Sequence, residues 1–252
     1  MNIVTNLESW QELRRTKQGQ EIGFVPTMGN LHEGHLSLCK KALAENEFVI
    51  VSIFINPAQF NQEQDYISYP RTLDQDKQLL ESIGVDALFL PPEQAMYPDS
   101  YEVRVTETSI SSVLEGEFRP GHFTGMLTIV LKLLNLIAPQ RAYFGEKDYQ
   151  QLLLIKKMVL SLFLPIEIVA CPTIRAPDGL ALSSRNARLT QAQRTQATCF
   201  AQTLQQGQDC AHIIQSLLEM GFRVEYVKEA WGRRLAAVWL DEIRLIDNIS
   251  IE

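Results

Sequence analysis

The chain has 252 residues, is 46% hydrophobic and 21% charged, and carries a net charge of −7. That balance excludes a disordered, fibrous or collagen-like chain and fits one large domain, or one domain with a small companion. The acidity argues against general binding to nucleic acid or an anionic membrane, while leaving room for a local basic pocket.

The opening residues, MNIVTNLESWQELRR, lack a basic head followed by an apolar core, so they do not read as a signal peptide. Beyond them, apolar runs alternate with helical patterns. Strands are expected over 22–26, 48–55 (FVIVSIFI), 86–90, 141–144 and 166–170. Helices are expected over 36–44, 73–83, 126–137 and 149–162, with Gly84 and Pro139 as stops. Continuous apolar strands alternating with helices predict a parallel sheet covered on both faces, an α/β doubly wound, Rossmann-like domain over 1–174. The longest apolar stretch, 126–138, is too short to span a bilayer and contains Lys132 and Asn135.

From Pro172 the texture changes to a connection rich in Pro, Gly and Ser, PTIRAPDGLALSSRN. Helical patterns over 191–206 and 209–220 and two short strands over 223–227 and 242–246 follow. They predict a second, smaller α+β domain over 175–252. Cys39, Cys171, Cys199 and Cys210 are scattered, without a CxxC pair or zinc-finger spacing, which points to a reducing, cytoplasmic compartment.

Ligands of an open parallel sheet bind beyond the carboxyl ends of its strands. The segment PTMGNLHEGH (26–35) leaves the first strand and enters a helix. Gly29 permits a tight turn, and Gly34 permits close approach of a phosphate to the backbone. A helix N-terminus there offers unpaired N–H groups to an anion. His32 and His35, three apart, can share a face and donate to a phosphate that gains charge during transfer. The alternatives are ordinary capping histidines, or a zinc site with Cys39 as third ligand. The HxGH spacing is not HExxH and no further Cys/His cluster exists, so no protein metal ligand is assigned.

Four later segments also follow strands or join domains. NPAQF (56–60) offers amides for a carboxylate or hydroxyl, although Asn-Pro is also a common turn. FRPGHFTG (118–125) places Arg119 and His122 in a Gly/Pro loop, suited equally to anion contact and to plain connection. FGEKD (144–148) offers Gly145 and Lys147 to a phosphate, with Asp148 suited to cap the next helix. SSRN (183–186) sets hydroxyls and an arginine where a triphosphate, or only solvent, could meet them. No Walker A, G-x-G-x-x-G or G-x-S-x-G motif occurs.

The ordered blocks PTMGNLHEGHLSL, FINPAQF, YPRTLDQD, FRPGHFTGMLTIVLKLLNLIAPQRAYFGEKDYQQL, PTIRAPDGLALSSRN and RLIDN resemble the pantoate–β-alanine ligase family of the HIGH-motif nucleotidylyltransferases. The resemblance implies ATP-dependent ligation of pantoate and β-alanine to pantothenate, on the route to coenzyme A. A pantoyl adenylate would be the intermediate, with pyrophosphate and AMP released. It implies phosphate contacts from His32, His35 and Lys147, an ATP pocket including Met28, Gly145 and Asp148, and Ser183, Ser184 and Arg185 closing over the phosphates. It implies that Gln59 and Gln151 hold pantoate, with Asn56 and Tyr69 nearby and less definite roles for Arg119 and His122. It further implies Mg²⁺ carried mainly by the nucleotide, and a homodimer.

Against the family pattern, EAWGRRLAAVWLDEI (229–243) reads as a short joining segment, and 196–209 as trimmed. A shortened lid is therefore expected. Rival readings are nucleotidyl transfer to a phosphate ester and a nucleotide-binding protein without turnover. The amides of Gln59 and Gln151 speak for a single carboxylate over a phosphate ester. Charge distribution also fits small anionic substrates. Residues 45–102 are net −9 and read as a solvated face, whereas 119–185 are net +4.

Overall fold

A computed structural model describes residues 1–207 and 209–251. The chain forms two compact units, one of 1–145 with 150–171 and one of 146–149 with 172–252.

The first unit is built on six parallel strands, β1 (Asn2–Val4), β2 (Ile22–Thr27), β3 (Phe48–Ile53), β4 (Ala87–Phe89), β5 (Arg141–Gly145) and β6 (Glu167–Cys171), in the order β1-β4-β3-β2-β5-β6. The apolar runs of β2 and β3 are buried because helices cover both faces. The helices of this unit are α1 (Leu7–Thr16), α2 (Glu33–Glu45), α3 (Glu63–Ile67), α4 (Leu73–Ser82), α5 (Glu93–Met96), α6 (Glu115–Phe118), α7 (His122–Ile137) and α8 (Tyr149–Ser161). Sequence order runs outward from β2 to β3 and β4 on one side, and on to β5 and β6 on the other. The carboxyl ends of β2 and β5 therefore flank the switch point of the sheet, the usual ligand position in this architecture.

Several elements differ from the sequence expectation. β1 and α1 were not foreseen. Asn6 caps α1 by accepting from the Ser9 N–H at 2.8 Å, and buried Trp10 donates from Nε1 to the Leu136 carbonyl on α7 at 2.7 Å. α7 also begins four residues early, so His122 opens a helix and is not loop.

Glu107 ties this unit's loops to α8. Its carboxylate accepts from the Ser109 and Ser111 N–H groups at 3.0 and 2.8 Å and from Lys157 Nζ at 2.6 Å. Burial pushes the Glu107 carboxyl up, but Lys157 and the N–H groups of Ser111, Ser109 and Ile110 outweigh it and bring its pKa down to about 2 from 4.5. The folded pKa lies below the unfolded one, so the stabilisation is full above pH 4.5 and is lost as pH falls toward 2. Glu107→Gln therefore destabilises the protein at neutral pH. The gap from the parent closes across that acidic window in denaturant titrations run at successive pH values.

The second unit carries a three-stranded antiparallel sheet, β7 (Arg223–Ala230), β8 (Arg233–Leu240) and β9 (Ile243–Ser250), with α9 (Gln191–Gln205) and α10 (Cys210–Glu219). Its core joins Phe200, Leu204, Ile213 and Leu217 of the helices to Val227, Val238 and Leu245 of the strands. The expected two short strands are three of eight residues each, and the supposed joining segment is the central strand β8. Trp231 and Gly232, both at positive φ, make the two-residue turn between β7 and β8. The expectation for 196–209 includes Gln208, which lies outside the described residues.

Candidate functional site

The turn after β2 is held by a carboxylate that the sequence motifs do not single out. Asp76, buried on α4, accepts from the N–H groups of Asn30 at 2.9 Å and Leu31 at 2.8 Å, and from the Thr72 hydroxyl at 3.2 Å. Gly29 has φ +80°, and a Cβ there would meet Asp76 Oδ2 and Ile53 Cγ2, both at 3.0 Å. Only glycine fits this turn without strain.

The turn delivers the two histidines to the start of α2 as a reciprocal cap. His32 Nδ1 accepts from the Gly34 N–H at 3.1 Å, and His35 Nδ1 lies 3.4 Å from the His32 backbone N–H. The ring centroids are 4.1 Å apart. Because Nδ1 of each ring accepts, the neutral imidazole carries its proton on Nε2. The capping reading and the anion reading are thus compatible, since capping through Nδ1 makes Nε2–H the donor edge at a helix N-terminus. Cys39 does not join them. It is fully buried, burial pushes its thiol up to about 12, and no group of three His, Cys, Asp or Glu among the described residues could hold a metal ion.

Gln59 sits after β3 in the short turn Pro57–Gln59. α7 comes so close that a Cβ on Gly125 would lie 2.1 Å from the Ala58 carbonyl oxygen. Buried Asn56 donates from Nδ2 to Gln59 Oε1 at 3.0 Å and to the Gly125 carbonyl at 3.1 Å, and accepts from the Tyr97 hydroxyl at 2.6 Å. The Gln59 amide is thereby oriented, with Nε2 3.1 Å from Met28 Sδ. Asn56 is engaged by protein partners, Gln59 among them.

Arg119 and His122 join the same network. Arg119 Nη1 lies 3.1 Å from His122 Nε2, and His122 Nδ1 lies 2.8 Å from the Gln59 carbonyl. Arginine only donates, so His122 Nε2 accepts and Nδ1–H donates to Gln59. Glu115 completes the chain, 3.6 Å from Arg119. Arg119 and His122 thus brace the Gln59 backbone. Both ring nitrogens of His122 are engaged by the protein.

On α8, adjacent glutamines divide their tasks. Gln150 is buried and spent on the Glu115 N–H and the Ile110 and Val113 carbonyls, at 3.1, 2.8 and 2.7 Å. No such bond engages the half-buried Gln151 amide among the described residues. Tyr69 packs edge-on against Phe60 with centroids 5.6 Å apart.

The remaining residues except Gly145 lie in the second unit. Lys147, Ser183 and Arg185 line one recess with Asn186, Arg244 and Asp247. The Ser183 hydroxyl accepts from the Arg185 N–H at 3.3 Å, and Lys147 Nζ lies 4.0 Å from the more exposed Asp148 carboxylate. Ser184 begins the turn that Ser183 caps. Gly145 ends β5 with open space where a Cβ would stand, so packing does not demand glycine there. Sequence reasoning missed Asp76 and Asn248, although both lie inside quoted blocks, YPRTLDQD and RLIDN.

Comparison with known proteins agrees along the whole chain. The family model described as Pantoate-beta-alanine ligase matches residues 2–250. A pantothenate synthetase of Legionella pneumophila (strain Corby) is 51% identical over 249 residues, covering 98% of this chain and 99% of that protein. One from Coxiella burnetii (strain RSA 493) is 47% identical, covering 98% and 96%. The crystal structure of pantoate–β-alanine ligase from Francisella tularensis, complexed with β,γ-ATP and β-alanine, is 45% identical with a TM-score of 0.95, covering 99% of this chain and 97% of that one. The expected shortening of the C-terminal portion is therefore no departure from these relatives, which match the chain in length. Full-length sequence identity, the parallel sheet and the small antiparallel one lead to one conclusion: the chain belongs to the pantoate–β-alanine ligase family.

Proposed function

We propose that the chain joins pantoate to β-alanine at the expense of ATP, through the groups placed above. The observation that carries the reading is the His32–His35 cap after β2, which turns two Nε2–H donors to a helix N-terminus at the switch point of the sheet. In the first step a pantoate carboxylate oxygen attacks the α-phosphorus of ATP. The bond to the β-phosphate oxygen breaks and pyrophosphate leaves. In the second, the β-alanine amine attacks the acyl carbon, the bond to AMP breaks, and the amine loses a proton.

The first step must bring one anion onto another. Donors fixed before the reaction lower that barrier because they need not reorganise as charge develops. His32 and His35 serve the phosphates in this way, with Met28 lining the nucleotide pocket. Lys147, Ser183, Ser184 and Arg185 add positive charge and hydroxyls to the phosphates, with Gly145 and Asp148 beside them. Gln59 and Gln151 hold pantoate by its hydroxyl and carboxylate, Tyr69 closes that pocket, and Asn56, His122 and Arg119 keep Gln59 in place. The donor set has no protein cage for a metal among the described residues, which suits Mg²⁺ arriving on the phosphates of ATP. Among the described residues no helix is long and apolar enough to cross a membrane. The reading includes a cytoplasmic location and a homodimer, the latter checked by light scattering.

Pantoate-dependent exchange of labelled pyrophosphate into ATP tests the first step. Exchange is expected with pantoate and Mg²⁺ and without β-alanine. Its absence, or a dinucleotide product from a phosphate ester, would overturn the reading.

A further inference from the structure

RLIDN, at the end of the quoted blocks, contributes no side chain to the chemistry proposed above, yet its asparagine is buried and fully occupied. Asn248 lies on β9. Its Nδ2 donates to two successive carbonyls, Glu146 at 2.9 Å and Lys147 at 2.8 Å. Its Oδ1 accepts from Arg233 Nη1 at 2.8 Å, and the same arginine reaches Glu146 Oε2 at 2.6 Å and lies over the Tyr149 ring. Behind it, buried Asp247 accepts the Asn248 N–H at 2.7 Å and a bidentate pair from Arg175 at 2.6 and 2.8 Å.

A lysine on a three-residue turn has no strand ladder to fix its backbone. Here the carbonyls of that turn are fixed by one amide, which is itself fixed by an arginine and a strand. The requirement is specific to asparagine. Two carbonyls need two N–H donors from one nitrogen, and Arg233 needs an acceptor on the same planar group. Aspartate would set a carboxylate against both carbonyls, and an apolar side chain would leave both half-buried carbonyls without these donors.

We propose that Asn248 is a positioning residue for Lys147, holding the 146–147 peptide so that the ammonium is presented at a fixed place. The proposal rests on the reading of Lys147 as a phosphate contact. Asn248→Ala is expected to lower kcat for pantoate-dependent exchange by about 10- to 100-fold, as displacement of a charge-bearing group by about 1 Å does. KM for pantoate should stay unchanged. Asn248→Ser, which keeps one donor, should fall between the two.

The discriminating measurements are a double-mutant cycle and hydrogen exchange. With Lys147→Met already present, Asn248→Ala should add no further loss. Amide exchange in a peptide covering 146–149 should quicken in Asn248→Ala, while exchange in β2 and β3 is unchanged. Additive losses, a full rate in Asn248→Ala, or unchanged protection at 146–149 would overturn the role of Asn248 alone. A full rate in Lys147→Met would instead remove the reading of Lys147, and with it this proposal. The exchange measurement decides the anchoring even in a variant without activity.

Discussion

Replacing His35 by alanine should lower pantoate-dependent exchange by about 10²- to 10³-fold, the usual loss when one fixed donor to a developing charge is removed. The expectation follows from the cap. Two backbone N–H groups occupy the Nδ1 side of the histidine pair, so Nε2–H is the proton each neutral ring has to give. Alanine removes that donor and also the partner of the His32 N–H. His32→Ala should behave alike, and the double variant should lose less than the product of the singles, because each ring depends on the other's backbone position. Unchanged exchange in His35→Ala would remove that residue from the mechanism.

The largest effect on stability is expected at Asp76. Asp76→Ala leaves the Asn30 and Leu31 N–H groups and the Thr72 hydroxyl without their acceptor. The buried Leu31 N–H left so costs about 1–3 kcal/mol and the two half-buried groups less, so a total loss of roughly 2–5 kcal/mol should appear in urea unfolding. Asp76→Asn should cost less in stability but still impair exchange, since one face of its amide turns N–H against N–H. A variant as stable and active as the parent would show that Gly29 and the strand end hold the turn unaided.

The sequence made the local features readable and hid the long-range ones. β3 announced itself as FVIVSIFI, and PTMGNLHEGH showed its turn and its histidines together. β8 was obscured because RRLAAVWL opens on two charges, and because the Trp-Gly turn before it is less telling than Asn-Gly. Those arginines are buried or half-buried with partners, Arg234 on Glu229 and Arg233 on Glu146. Asp76 and Asn248 escaped notice for a shared reason. Their partners are main-chain groups far away in sequence, and a backbone N–H or carbonyl leaves no mark in the amino-acid code. Arg119 and His122 showed the converse. Residue type suggested an anion, and only the geometry reveals their link to Gln59.

The interleaving of the two units bears on how the protein is made. Residues 146–149 emerge in the midst of one unit but belong to the other. On a ribosome the chain would expose Lys147 roughly a hundred residues before Asn248 exists to hold its carbonyls, and domains generally fold as units during synthesis. The first sheet can assemble early, with its histidine turn already clamped by Asp76. The lysine turn must wait for β9, so a nascent chain released before that strand should fold its parallel sheet and remain inactive.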